Sequence, residues 1–142
     1  MEKTGCIYCD QGEDIEAIML PVCDVDGYPL YFMKNQTYRG RVVLAYDQHI
    51  KKPSDMDPEK AASFFGAVYK VCCVLDRIYA PGQINTGMFA DKMCHLHCHI
   101  VPKYEDGPEW GSMFLMNPEP PVLLSDADYS AQILKLAAQL AD

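Results

Sequence analysis

The sequence has no long apolar run and few basic residues, and both absences narrow what the protein can be. No stretch approaches the roughly 20 apolar residues that a membrane-spanning helix needs. The first residues lack the hydrophobic segment of a secretory signal, so we expect a cytoplasmic protein that does not contact a membrane. Twelve basic residues stand against 20 acidic ones, which gives a net charge of -8. This deficit disfavours a polymeric nucleic acid as partner, because such binding requires cations against the phosphates.

The basic residues that the chain does have are concentrated in its middle. Residues 31–103 carry ten basic and six acidic residues, an excess of four positive charges. Residues 1–30 and 104–142 each carry one basic and seven acidic residues. The local excess is compatible with a small anionic ligand bound by the middle of the chain.

The seven cysteines favour free thiols or metal ligands over a disulfide framework. Seven is an odd number, and the sequence shows no export signal. Cys6 and Cys9 have the spacing of two ligands of a tetrahedral zinc site. By itself this pair also fits a redox pair or two unrelated thiols.

Three of the four histidines occupy alternating positions in residues 95–102. Because successive side chains of a β-strand point to opposite faces, His95, His97 and His99 would line one face. The intervening residues are apolar and would face the core. Histidines two apart lie roughly 6.6 Å apart at the backbone, and the outer pair roughly 13 Å. The spacing therefore favours a division of labour, in which one imidazole binds a metal and another performs chemistry.

The remaining periodicity predicts one domain with a sheet, a long helix and a C-terminal extension. The predicted strands cover residues 17–25, 28–33, 40–46, 84–90 and 95–102. Asp57 and Pro58 suit the start of a helix whose apolar stripe continues to the turn Pro81-Gly82. Residues 1–104 form the main body in this interpretation. Residues 105–142 form a Pro/Gly-rich extension of the same domain that ends in a second helix.

Counting ligands predicts a closed metal site. Cys6 and Cys9 provide two thiolates, and a structural zinc needs two more ligands, commonly histidines. The imidazoles available for such a set are His49 and one histidine of the strand. A closed set leaves no open coordination position, so this zinc would stabilise the fold instead of catalysing a reaction.

Residues 95–102 resemble the signature of the histidine triad (HIT) superfamily, in which three histidines alternate with apolar residues. The order of the other features agrees: Cys-x-x-Cys, a strand that ends near a histidine, a helix and a strand that bears an asparagine. The resemblance covers about residues 5–104, and residues 92–111 are similar to bacterial HIT-like hydrolases. It implies an α+β fold with an antiparallel sheet of about five strands and one long helix packed on it. It also implies a homodimer.

The resemblance further implies a hydrolase or transferase that acts at the α-phosphate of a nucleotide. Dinucleoside polyphosphates and nucleoside phosphoramidates are substrates of this type. His97 would be the nucleophile that forms a nucleotidyl-histidine intermediate, and His99 would contact the phosphate. The zinc ligands that the resemblance implies are Cys6, Cys9, His49 and His95.

Four further residues correspond to substrate contacts of the family. Asn85 matches an asparagine beside the phosphate, and Asn35 is the nearest candidate for the ribose contact. Asp91 stands where many members have glutamine, and Lys92 stands where many have serine or threonine. A carboxylate repels phosphate whereas an ammonium group attracts it, so these two positions bear on the identity of the substrate.

Two other functions remain open from the sequence. The strand histidines could bind a catalytic zinc, in which case the loss of His97 would remove metal and activity together. Alternatively, Asp91 and Lys92 could mark a nucleotide-binding or regulatory module without catalysis.

Overall fold

The computed structural model describes residues 2–141, and its centre is an open antiparallel sheet of five strands. The strands are β1 (Met19–Val25), β2 (Tyr28–Met33), β3 (Val42–Ala45), β4 (Gln83–Gly87) and β5 (His97–Lys103). They lie in the order β1-β2-β3-β5-β4, and every neighbouring pair is antiparallel. β5, which carries the histidines, therefore lies between β3 and β4. The predicted α+β architecture is confirmed.

Two long helices and two single-turn helices accompany the sheet. They are α1 (Ile7–Asp10), α2 (Glu13–Glu16), α3 (Pro58–Tyr79) and α4 (Asp126–Leu140), and a 3₁₀ turn spans Pro53–Asp55. As predicted, Asp57 caps α3, because its side chain accepts a hydrogen bond from the backbone N–H of Glu59 at 3.1 Å. No helix within residues 2–141 combines the length and the apolar character that crossing a membrane requires.

The alternation predicted for the histidine strand is confirmed. Leu96, Cys98 and Ile100 point into the main core, where they pack with buried residues of α3 and α4. His97 and His99 point to the opposite side of the sheet, and both are also buried. One face of this strand thus belongs to the apolar core, and the other carries the two buried histidines.

The structure corrects the start of this strand. The sequence predicts a strand from His95, whereas β5 begins at His97. Before that point the backbone N–H of Leu96 donates to the carbonyl of Ile50 at 2.7 Å, and the N–H of Tyr46 donates to the carbonyl of Leu96 at 2.9 Å. His95 consequently lies in a segment beside the strand, next to the loop that carries the fourth histidine.

The other predicted strands are confirmed with small shifts in their bounds. Residues 17–25, 40–46 and 84–90 are observed as β1, β3 and β4 respectively. Helices α1 and α2 were not predicted, because four residues hold barely one turn and too little hydrophobic periodicity to indicate a helix.

The extension crosses the histidine side of the sheet before α4 packs on the other side. Phe114 forms a small buried cluster with Val101, which shares the histidine face of β5. In α4, Tyr129 and Leu136 are buried in the main core. The extension therefore contributes to both sides of the sheet.

Replacement of Leu96 by alanine tests the core beneath the histidines. Leu96 is fully buried, so we expect Leu96→Ala to lower the free energy of unfolding by about 3 kcal/mol. The matched control is Leu134→Ala, which removes the same atoms from a side chain of α4 that is 69% exposed. Urea denaturation of both variants measures the difference, and equal losses would contradict the assignment of Leu96 to the core.

Candidate functional site

The first histidine belongs to a cluster of possible metal ligands. Nε2 of His95 lies 2.8 Å from the carbonyl oxygen of Tyr46. A carbonyl only accepts, so Nε2 carries the proton and Nδ1 carries a lone pair. Nδ1 lies 3.5 Å from Sγ of Cys6 and 3.6 Å from Sγ of Cys9. The lone pair of His95 therefore points toward both cysteines.

The fourth member of the cluster is His49, which follows β3. Its Nδ1 lies 3.4 Å from Sγ of Cys9. The ligand atoms of the four predicted residues all lie within 4.8 Å of one another, so this cluster can hold a metal ion. The structure thus brings together all four residues that were predicted to bind a metal.

Helix α1 places the two cysteines. Cys6 is its N-cap, and Sγ of Cys6 accepts a hydrogen bond from the backbone N–H of Cys9 at 3.4 Å. The carboxylate of Asp10 accepts hydrogen bonds from the backbone N–H and the hydroxyl of Thr4 and from the N–H of Gly5. These bonds lower the pKa of Asp10 and hold the preceding loop against the helix.

The second histidine has the opposite arrangement of ring nitrogens. Nδ1 of His97 lies 2.7 Å from the carbonyl oxygen of His95, so Nδ1 carries the proton and Nε2 carries the lone pair. The ring of Tyr8 stacks on His97 with the centroids 5.1 Å apart. Burial lowers the pKa of His97, which favours the neutral ring. A neutral imidazole with a free Nε2 lone pair is suited to nucleophilic attack.

The third histidine contacts a buried arginine that the sequence analysis missed. Nη2 of Arg41 lies 3.1 Å from Nδ1 of His99, and Arg41 is fully buried. Burial lowers the pKa of Arg41 to about 10, so the side chain stays charged near neutral pH. The signal available in the sequence was a single cation in the otherwise apolar predicted strand 40–46. In the structure, Arg41 stands two residues before Val43, the strand partner of His99.

Two of the histidines line a cavity of about 630 Å³. Of the predicted site residues, it brings together His97, His99, Asp91 and Lys92. The four methionines that line it are Met19, Met33, Met93 and Met116. An apolar wall with a few polar groups is typical of a small-molecule site.

The structure does not bring Asn85 into this cavity. Asn85 pairs with Val101 in the sheet, two residues along the strands from the pair formed by Gly87 and His99. Its side chain lines a neighbouring cavity and accepts a hydrogen bond from the buried Lys103 at 3.3 Å. Asn85 thus shares the histidine face but stands apart from the histidine cavity.

Asn35 is also placed elsewhere, because its side chain holds the extension. Its amide donates to the carbonyl of Pro118 at 3.0 Å, and its side-chain oxygen accepts from the backbone N–H of Val122 at 3.1 Å. The same oxygen accepts two hydrogen bonds from Thr37. The side chain expected to contact ribose is therefore occupied by contacts within the protein.

Comparison with known proteins gives one sequence relative and many similar structures. No protein-family model matches the chain. The protein named Protein hit of Bacillus subtilis (strain 168) is 26% identical over 118 residues, which cover 78% of this chain and 79% of that protein. A histidine triad protein from Marinobacter aquaeolei VT8 has a TM-score of 0.82 at 16% identity, covering 92% of this chain and 95% of its own. A Zn-bound histidine triad family protein from Mycobacterium smegmatis has a TM-score of 0.63 at 16% identity, covering 96% and 94%.

These structural similarities extend over nearly the whole chain. His97 and His99 lie on β5, which pairs with β3 on one side and β4 on the other, and His95 directly precedes this strand. The chain therefore has the fold of the histidine triad superfamily.

Proposed function

We propose that the protein is a hydrolase or transferase of the histidine triad type, acting at the α-phosphate of a small nucleotide. The observation that carries this proposal is the hydrogen bond between Nδ1 of His97 and the carbonyl of His95. It leaves the Nε2 lone pair of His97 free at the wall of the cavity, beside His99. Dinucleoside polyphosphates and nucleoside phosphoramidates are the proposed substrate types.

The reaction proceeds in two displacements at phosphorus. Nε2 of His97 forms a bond to the α-phosphorus, while the bond from phosphorus to the leaving group breaks and its electron pair leaves with that group. The leaving group takes a proton from solvent. Water then attacks the nucleotidyl-histidine and loses a proton, and the electron pair of the breaking P–N bond returns to Nε2. Two displacements through a covalent intermediate replace one difficult step.

The charges at the cavity suit an anionic ligand only in part. Lys92 provides a cation at the wall, which attracts phosphate oxygens. Asp91 lines the same cavity and repels them. Asp91 is the observation that favours a second candidate, a nucleotide-binding module without turnover.

We propose zinc as the ion of the metal cluster, in a structural role. Ideal Zn–S and Zn–N bonds in a tetrahedron separate sulfur from nitrogen by about 3.6 Å. The S–N distances of 3.4, 3.5 and 3.6 Å between the cysteines and the two histidines agree with this value. When bound, zinc would supply four ligand bonds that fasten α1 to the sheet. The cluster does not include His97 or His99, which argues against a catalytic zinc.

We also propose that the protein is a cytoplasmic homodimer. All seven cysteines are free thiols in the structure, and a reducing compartment preserves them as ligands. β4 forms one edge of the sheet and is only partly buried. An exposed strand edge is a template for pairing with a second copy.

Loss of the nucleophile is the direct test of the reaction. We expect His97→Ala to reduce turnover of dinucleoside polyphosphates and adenosine phosphoramidates by about 10⁴-fold or more, because no covalent intermediate can form. The bound metal should stay at wild-type stoichiometry, since His97 is outside the cluster.

Mass spectrometry of the acid-quenched wild-type protein should show a phosphorus–histidine adduct at His97. Metal loss in His97→Ala would favour the catalytic-zinc function. A wild-type protein that binds the same nucleotides without turnover or adduct would favour the binding module.

Loss of a metal ligand tests the structural role of the ion. We expect Cys9→Ala to lose the metal and to lower the melting temperature by about 6 °C or more, taking roughly 3 °C per kcal/mol for a domain of this size. Cys94→Ala is the control, because Cys94 is also an exposed thiol but lies outside the cluster. Metal analysis and thermal unfolding are the measurements, and an unchanged metal content in Cys9→Ala would refute the assignment.

The oligomeric state is tested by light scattering coupled to size exclusion. We expect a mass of twice the chain mass of 16.0 kDa at micromolar concentration. A particle of one chain mass over the accessible concentration range would contradict the homodimer.

A further inference from the structure

Arg41 is a buried cation whose contacts are unusual. The three ion pairs found within residues 2–141 are formed by lysines, and Arg41 takes part in none of them. Its Nη1 donates to the carbonyls of Leu115 at 3.3 Å and Met116 at 3.0 Å. Its Nη2 contacts Nδ1 of His99, and its Nε has no hydrogen-bond partner. Burial of a guanidinium without a carboxylate partner costs free energy, so a buried arginine beside His99 is unlike an ordinary core residue.

The contact decides which nitrogen of His99 carries the proton. A guanidinium has only N–H donors, so Nδ1 of His99 accepts the hydrogen bond and carries no proton. The single proton of the neutral ring must then reside on Nε2. Burial, the charge of Arg41 and the neighbouring His97 lower the pKa of His99 to about 3. A histidine is neutral above its pKa, so His99 stays neutral near pH 7.

His97 and His99 therefore have opposite tautomers although they lie on the same strand face. Their ring centroids are 5.1 Å apart, and both rings line the cavity. His97 presents a lone pair at Nε2, because a carbonyl occupies its Nδ1. His99 presents an N–H at Nε2, because a guanidinium occupies its Nδ1. In each ring, the hydrogen-bond partner of Nδ1 determines whether Nε2 carries a proton or a lone pair.

The other groups around His99 do not compete for its Nδ1. Phe89 and Phe114 pack near the ring, with centroids at 6.4 and 6.1 Å, and carry no polar atoms in their side chains. Asp91 and Lys92, from the segment before β5, line the cavity side. Arg41 is the hydrogen-bond partner of Nδ1 within the described part of the chain.

We propose that Arg41 is a positioning residue that holds His99 as a neutral Nε2–H donor toward the anionic oxygens of the substrate. Without it, the proton could move to Nδ1, and a lone pair on Nε2 would face the negatively charged phosphate. Donors already aimed at developing charge stabilise a transition state without reorganisation. The catalytic consequence rests on the proposed function, whereas the tautomer rests on the hydrogen bond alone.

The test is two-bond ¹H–¹⁵N NMR of the uniformly ¹⁵N-labelled protein, which reads the tautomer of each histidine. His99→Gln identifies the signals of His99. In the wild type we expect a protonated Nε2 and an unprotonated Nδ1 for His99, unchanged between about pH 5 and 8. A wild-type His99 with its proton on Nδ1 would overturn the proposal, and this readout needs no variant that alters the core.

Arg41→Met removes the donor and keeps an unbranched apolar chain. We expect it to move protonation of His99 toward Nδ1 and to lower kcat by about 10²-fold with a smaller change in KM. Arg41→Lys keeps a donor-only cation, so it should restore the Nε2–H signal and most of the turnover. A wild-type tautomer in Arg41→Met would refute the proposal, as would an Arg41→Lys protein that is folded but has its His99 proton on Nδ1.

Tyr38→Phe separates this role from a structural one. The hydroxyl of Tyr38 accepts from the backbone N–H of Leu115 at 2.7 Å, so it anchors the same segment as Arg41 without touching His99. We expect Tyr38→Phe to retain the His99 tautomer and turnover within about threefold of wild type, and a shifted tautomer would contradict the proposal. If the wild type turns over no nucleotide, the proposed function fails, while the NMR result still decides the role of Arg41.

Discussion

Each of the three histidines has one ring nitrogen committed to a protein partner, and that commitment decides what the other nitrogen can do. The carbonyl of Tyr46 leaves His95 with a lone pair toward the cysteines. A second carbonyl leaves His97 with a lone pair at the cavity, and a guanidinium leaves His99 with a proton there. One residue type thus presents two lone pairs and one N–H in three different directions, because the outer partners of an imidazole fix its tautomer and orientation.

The sequence was informative wherever the answer follows from backbone geometry or from ligand chemistry. Alternation along a strand is enough to predict that His97 and Leu96 face opposite sides, and tetrahedral coordination is enough to group His49 with the cysteines. The contact between Arg41 and His99 instead depends on how β3 pairs with β5, which local periodicity does not specify. The contacts of the Asn35 side chain were not predictable for a similar reason, since its partners lie in an irregular segment whose path no local pattern predicts.

The metal cluster and the cavity share a wall. Tyr8 lies between the two cysteines in sequence, and its ring packs on both His95 and His97 with centroids 5.2 and 5.1 Å apart. A metal that fastens the cysteines also holds this ring against the proposed nucleophile. Under the proposed function, the ion would influence the reaction through the packing of Tyr8 and without contact to the substrate.

The four methionines of the cavity have a consequence for the range of ligands. Thioether side chains are unbranched and polarizable, and they adapt their shape at little energetic cost. Methionine side chains can therefore pack against ligands of different shapes. If the cavity binds the proposed nucleotides, discrimination would come from its polar groups, because hydrogen bonds within the protein hold the rings of His97 and His99 in one orientation. Under the proposed function, the cavity would fix the position of the phosphate and tolerate variation in the rest of the molecule.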